Sequence, residues 1–328
     1  MRRFAAARTS LAALTGLGLM LTACSPQPEA SSEDGAAINV VASTNVYGDI
    51  AKTIGGEKVS VTAIITKTSQ DPHSYEATAQ DRLAVSKADL VIENGGGYDE
   101  FLHTLADDGS IDAGNVLNAV ELSGLAHPEE EASGGATPAE SPAADDHAHD
   151  HGGLNEHVWY NLAAMGQLAD SVAAKLGELE PASAATFESN AAAFKSGLEE
   201  LAGKLEGLKA GAAGAQVAVT EPVPVYMLED AGLENATPED YTAAIEEGSD
   251  VPPAVLKAAT DLVSSKSVRF LAYNGQTEGP QTEALKKAAE AAGVPVVDFS
   301  ETLPEGKTYV QWMTDNVNNV SKVLEKNS

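Results

Sequence analysis

The stretch PASAATFESNAAAFKSGLEELAGKLEGLKAG, residues 181 to 211, constrains the fold of this chain more than any other. Apolar residues recur along it at helical spacing, Pro181 suits the start of a helix, and Gly211 suits its end. About 28 residues at 1.5 Å each make a rod of roughly 40 Å. Such a rod joins two lobes more naturally than it packs inside one, so a linking helix is expected over 181–210.

On both sides of that rod the sequence alternates between short apolar runs and helical periods. In 38–180, INVVAST, VSVTAIIT and DLVIEN read as strands, while YEATAQDRLAVSKA, YDEFLHTLADD and VWYNLAAMGQLADSVAAKLGEL read as helices. In 211–328, AQVAVTEP, VRFLAYNG and VPVVDFS read as strands. TPEDYTAAIEEG, PPAVLKAATDLVSSK, QTEALKKAAEAAG and a last segment from about Thr308 read as helices. Thr237 before Pro238, with Asp240 three residues on, predicts a helix start. Alternation of this kind implies an α/β fold class: two α/β lobes with mainly parallel sheets, joined by one long helix. No internal sequence repeat stands out.

The ends and one insertion stand apart from this pattern. Residues 1–23 run from Arg2, Arg3 and Arg8 through an apolar stretch, Leu11 to Ala23, to a small residue before Cys24. That is the form of an export signal. Its apolar part is shorter than the roughly 20 residues needed to span a bilayer core of about 30 Å. LTAC resembles the bacterial lipobox, whose cysteine becomes the lipidated first residue of the mature chain. Residues 24–37 then read as a flexible tether, and the protein as extracytoplasmic and lipid-anchored to the cell membrane. Cys24 is the only cysteine, so no internal disulfide can form and the core must hold the fold unaided.

Residues 126–152, AHPEEEASGGATPAESPAADDHAHDHG, contain almost no large apolar side chain and read as a disordered insertion in the first lobe. The net charge of −29 becomes more negative when the three leader arginines are lost. A field of that sign repels phosphate backbones and excludes nucleic-acid binding.

The candidates for chemistry lie where lobes of this class bind ligands. Four of the seven histidines, His147, His149, His151 and His157, fall within eleven residues. The first three belong to the insertion. HAHDH is one residue short of the His-x-His-x-Asp-His pattern of metallo-hydrolases, so the expected role is a loop that collects metal loosely. His157 stands where helical periodicity resumes, beside Trp159 and Tyr160. His73 lies in a loop, DPHSYE, ahead of a helix. Glu221 is the first charge after an apolar strand, and Glu301 has a similar position after the last strand, with Asp298 as a rival. Open α/β sheets bind ligands at the carboxyl ends of their strands.

STNVYGDIAKTIGG, DPHSYE, ADLVIENGGGYDEF, NEHVWYN, TEPVPVYM and FSETLPEGKTYVQWM, in that order and together with the lipobox, resemble the zinc and manganese receptor lipoproteins of ABC importers. The resemblance covers nearly all of 38–325. It implies similar lobes bridged by a rigid helix, with one metal in the cleft held by His73, His157, Glu221 and Glu301. It also implies a permease and its ATPase as partners, and a monomer carrying one Zn²⁺ or Mn²⁺. Glutamate at the third position, where many zinc receptors have histidine, and at the fourth, usually aspartate, leaves the metal's identity open.

Two imidazoles and two carboxylates make a neutral donor set for a divalent ion. Imidazole suits zinc and carboxylate suits manganese. A surface metallo-hydrolase is the enzymatic alternative. The sequence lacks a His-Glu-x-x-His helix, a Gly-x-Ser-x-Gly elbow and a cysteine nucleophile, so a binding protein is expected rather than an enzyme. An adhesin or structural lipoprotein would leave the ordered donor positions without a purpose.

Overall fold

Buried parallel strands need apolar side chains on both faces, and the apolar runs of the sequence fold accordingly. The computed structural model describes residues 37–125 and 154–326. The first lobe runs β1 (Ile38–Thr44), α1 (Asn45–Gly55), β2 (Val59–Ile65), α2 (Ala79–Val85), β3 (Leu90–Glu93), α3 (Glu100–Asp108), β4 (Val116–Asn118) and α4 (Ala119–Ser123). Its sheet has the order β2-β1-β3-β4, all parallel, with Val40 in register with Val61 on one side and with Leu90 on the other. A single 3₁₀ turn at Val158–Tyr160 leads into α5 (Leu162–Leu179).

A second turn at Pro181–Ser183 opens the long helix α6 (Ala184–Ala212). The second lobe then runs β5 (Ala215–Val219), α7 (Val225–Asp230), β6 (Leu233–Asn235), α8 (Glu239–Glu246), α9 (Pro253–Ser264), β7 (Leu271–Asn274), α10 (Pro280–Ala292), β8 (Val296–Phe299) and α11 (Tyr309–Lys326). Its sheet has the order β6-β5-β7-β8, again parallel. The lobes thus share a topology although no sequence repeat announces it. In each, the chain reverses its direction of winding between the two central strands, which opens a crevice beyond their carboxyl ends.

The long helix joins the lobes and is also packed along its length. Phe187, Ala191, Phe194, Leu198, Leu201 and Leu205 recur every three or four residues and are all buried, against α5 and α1 of the first lobe and α7 and α11 of the second. One apolar core continues from β1 through α1, α5 and α6 to α7, β8 and α11. Smaller cores cover the far face of each sheet. The described residues form one compact unit.

Some elements differ from expectation for local reasons. The helix expected over 75–88 covers only Ala79–Val85, because Thr78 and Asp81 form a capping box: Asp81 N donates to Thr78 Oγ1 at 3.3 Å, and Thr78 N to Asp81 Oδ2 at 2.8 Å. The loop carrying His73 is correspondingly longer. Thr237 does not cap α8. It accepts from Val219 N at 2.8 Å, tying the loop to β5, and Pro238 takes the capping position. The long helix passes through Gly211 and ends at Ala212, and Gly214, at φ +74°, makes the turn into β5.

The short elements β4, α4, α7 and β6 carry no periodicity that sequence patterning can register. The leader, the tether with Cys24, and the insertion with His147, His149 and His151 lie outside the described residues. Among those described, no helix is long and apolar enough to cross a membrane.

Candidate metal centre

The first lobe contributes two histidines from irregular segments. Asp71 folds the DPHS loop on itself, accepting from His73 N at 3.0 Å and from Ser74 Oγ at 2.7 Å, so the His73 ring is held although the loop is exposed. His157 precedes the Val158–Tyr160 turn and is buried, with 1 % of its surface exposed. Its Nδ1 lies 2.8 Å from Asn155 Oδ1, which also accepts from His157 N. Because that oxygen can only accept, Nδ1 carries the proton and Nε2 the lone pair, the arrangement of a metal-ligating imidazole.

A glycine turn delivers the group between the two rings. Gly95, Gly96 and Gly97 all have positive φ, and a Cβ on Gly95 would lie 2.2 Å from the Asn118 side chain. Asp99 closes this turn by accepting from Asn94 N at 2.7 Å and Gly95 N at 2.9 Å. Tyr98 is thereby turned into the cleft, 5.0 Å from the His73 ring, 5.9 Å from His157 and 4.7 Å from Trp159. Its hydroxyl crosses the cleft and donates to Glu301 Oε2 at 3.1 Å.

The second lobe presents Glu221 and Glu301, each two residues beyond a strand, β5 and β8, and each almost wholly buried. Between them Asn274, the last residue of β7, donates both amide hydrogens, to Glu221 Oε2 at 2.7 Å and to Glu301 Oε1 at 2.6 Å. Thr277 Oγ1 also donates to Glu221. Gln276 Oε1 accepts from the backbone of Glu301 and Thr302 and holds that turn. Asp298 is exposed on β8.

The carboxylates grouped most tightly with the two histidines are not Glu221 and Glu301 but two that sequence reasoning missed. Single donor atoms of His73, Glu156, His157 and Glu246 all lie within 4.8 Å of one another. Glu156 Oε1 is 3.8 Å from His73 Nε2, and Glu246 Oε1 is 3.7 Å from His157 Nδ1. Glu156 had a signal, an acid beside a histidine ahead of an aromatic pair. Glu246 had none, being one of several acids at the end of a helix.

Burial sets the electrostatics. It pushes Glu221 up to about 8, aided by the charge of Glu301 and opposed by the hydrogen bonds from Thr277 and Asn274. Burial also raises Glu301, with Asn274, His73 and Tyr98 acting against it. Glu246 is raised by burial and then by Glu156. His157 is lowered to about 4 by burial, against the opposing pull of Glu156. Burial by itself therefore favours protonated carboxyls beside neutral imidazole. A dication reverses that preference, because every group in the cluster can then bind in its deprotonated form.

Parallel-sheet lobes on a shared helix, with imidazole and carboxylate facing each other at the strand ends, define a two-lobed binding protein. Residues 40–323 match the family described as ZnuA, zinc-uptake complex component A, periplasmic, and the chain belongs to that family.

It is 24% identical to the manganese ABC transporter substrate-binding lipoprotein scaA of Streptococcus gordonii over 322 residues, 93% of this chain and 95% of that protein. It is 29% identical to the manganese-binding lipoprotein MntA of Halalkalibacterium halodurans over 186 residues, 56% of this chain and only 54% of MntA. Among solved structures, FpvC of Pseudomonas aeruginosa in complex with Mn²⁺ superposes with a TM-score of 0.67 at 21% identity, covering 89% of this chain and 100% of FpvC. The periplasmic zinc-binding protein TroA of Treponema pallidum superposes at 0.65 and 20% identity, covering 88% and 99%. At these identities the structural likeness speaks for the fold.

Proposed function

We propose that the chain is the extracytoplasmic substrate-binding component of an ABC importer. It takes up a divalent transition metal, Zn²⁺ or Mn²⁺, between its lobes and presents it to a permease driven by a partner ATPase. The observation that supports this most is the gathering of His73 and His157 with Glu156 and Glu246, acids from opposite lobes, with the buried Glu221 and Glu301 within electrostatic reach of them. Membership of the ZnuA family and the names of the relatives point the same way.

In this reading His73, His157, Glu221 and Glu301 hold the ion, Asn274 aims the two carboxylates, and Asn155 fixes the His157 tautomer. Tyr98 and Trp159 keep water from the imidazoles. The protein is a monomer tethered to the membrane through lipid on Cys24, and a binding protein rather than an enzyme.

The test is retention of metal. Protein stripped with a chelator, exposed to an equimolar mixture of divalent metals and desalted is expected to hold one equivalent by mass spectrometry, and His157→Ala or Glu301→Ala to lose it. Wild-type protein emerging without stoichiometric metal would sink the proposal and favour a structural or adhesive lipoprotein.

A further inference from the structure

Glu156 and Glu246 come from opposite lobes and meet where neither has a structural duty. Glu156 adjoins His157 in the chain and is 3 % exposed, and Glu246 is the last residue of α8. Among the described residues many other carboxylates pair with lysine or arginine, as Glu180 does with Lys58 and Asp108 with Arg82, and the exposed His103 pairs with Glu93 and Asp107. Glu156 and Glu246 differ in meeting two histidines in one group, and Glu246 Oε1 is buried without a hydrogen bond. Two carboxylates held together, one buried and the other only partly exposed, repel unless a proton or a cation lies between them. An oxygen without a hydrogen bond, in a group with two imidazoles and a second carboxylate, marks a cation position rather than a packing contact.

Resting on the proposed function above, we propose that Glu156 and Glu246 are metal-facing donors of the same site, and that Glu246 biases it toward a six-coordinate, oxygen-preferring cation such as Mn²⁺.

The argument is one of donor number. His73, His157, Glu221 and Glu301 already supply the four donors that satisfy tetrahedral zinc. Mn²⁺ takes a larger, oxygen-rich octahedral shell, and Glu156 and Glu246, which cluster with the two histidines, would add to the four ligands of the proposed function to give six side-chain donors, four of them carboxylates. Glu221 and Glu301 are aimed by Asn274 and Thr277, and the His157 ring by Asn155. Glu246 is therefore not needed to position them, and its removal subtracts a donor instead of collapsing the site. That loss bears harder on the ion that uses six donors than on the one that uses four.

The experiment compares Mn²⁺ and Zn²⁺ dissociation constants of the purified protein with those of Glu246→Gln, Glu246→Asp and Glu156→Gln, by competition against a chelating indicator. The electron paramagnetic resonance spectrum of bound Mn²⁺ reports its coordination, and the melting point of each metal-free variant reports folding. In Glu246→Gln both affinities are expected to fall, Mn²⁺ about tenfold more than Zn²⁺, with an altered Mn²⁺ spectrum. Glu246→Asp should lie between that variant and wild type. Equal losses for the two metals, or no loss, overturn the proposal and leave Glu246 as a group sharing a proton with Glu156. In either case wild-type protein still binds metal, so the proposed function stands. Wild-type protein that binds neither ion removes both.

Discussion

Asn274 shows how much of the site depends on single polar atoms. One amide serves two carboxylates that repel each other, and without it their burial would leave lone pairs unsatisfied. Their perturbed protonation has a consequence for stability. An acid whose folded pKa is raised keeps its proton in the folded state after the unfolded chain has lost it, so folding stability falls as pH rises between the two values. For Glu221 that window runs from 4.5 to about 8, and Glu301 and Glu246 act with the same sign. His157, lowered from 6.5 to about 4, acts oppositely, adding stability as pH rises through that lower window.

Above pH 6.5 only the acids remain. The melting temperature of chelator-treated protein is therefore expected to fall from pH 6.5 to 8.5, while the increase on adding metal grows, because deprotonated donors bind it. Differential scanning calorimetry decides this. A metal-free melting point that rises steadily across that range would contradict the electrostatics of the cleft.

At the scale of elements, α6 governs how firmly the histidine turn is held. Phe194 is buried beneath Tyr309, ring centres 5.7 Å apart, and Tyr309 in turn donates from its hydroxyl to Trp159 O at 2.6 Å, within the turn that follows His157. Phe194→Ala is expected to cost about 3–5 kcal/mol in denaturant unfolding. A loss below about 1 kcal/mol would mean that the helix is a spacer and not part of the core.

The long helix and six of the eight strands, all but the three-residue β4 and β6, were legible in the sequence because each has a strong period or a continuous apolar run. The boundaries of α2 and α8 were not, since Thr78 and Thr237 are equally good capping residues locally. Only their neighbours decide between them, Asp81 in one case and the β5 backbone in the other.

Across the whole molecule the lobes are stitched together around the site. Asn45 exchanges hydrogen bonds with the Leu303 backbone at 2.8 and 2.9 Å, and Tyr309 N donates to Asp49 at 2.7 Å. Tyr160 donates to Ser300 O at 2.9 Å. Asn155 donates to Pro222 O at 3.0 Å and accepts at its carbonyl from Tyr226 of α7 at 2.6 Å, linking the approach to His157 with the segment after Glu221. With a continuous core and the packed α6 behind these bonds, metal exchange is expected to proceed by local movement of loops such as that of His73, not by a wide hinge. Small-angle X-ray scattering of metal-free and loaded protein should give superimposable curves. A contraction on loading would show that the lobes close as bodies.

The sequence by itself determined the α/β class, the division into two lobes about one helix, and four donor candidates. Those properties follow from periodicity and from the rule that ligands lie beyond strand ends, and both are local in the chain. Only the tertiary structure decided that Asp298 is exposed on β8 while Glu301 is buried in the cleft, and that Asn274 serves both carboxylates. It alone brought Glu246 of α8 to His157, and Glu156 to His73. Those meetings join residues far apart in the chain, and what selects them is packing within each lobe and, for Glu246 with His157, of one lobe against the other, which no local pattern encodes.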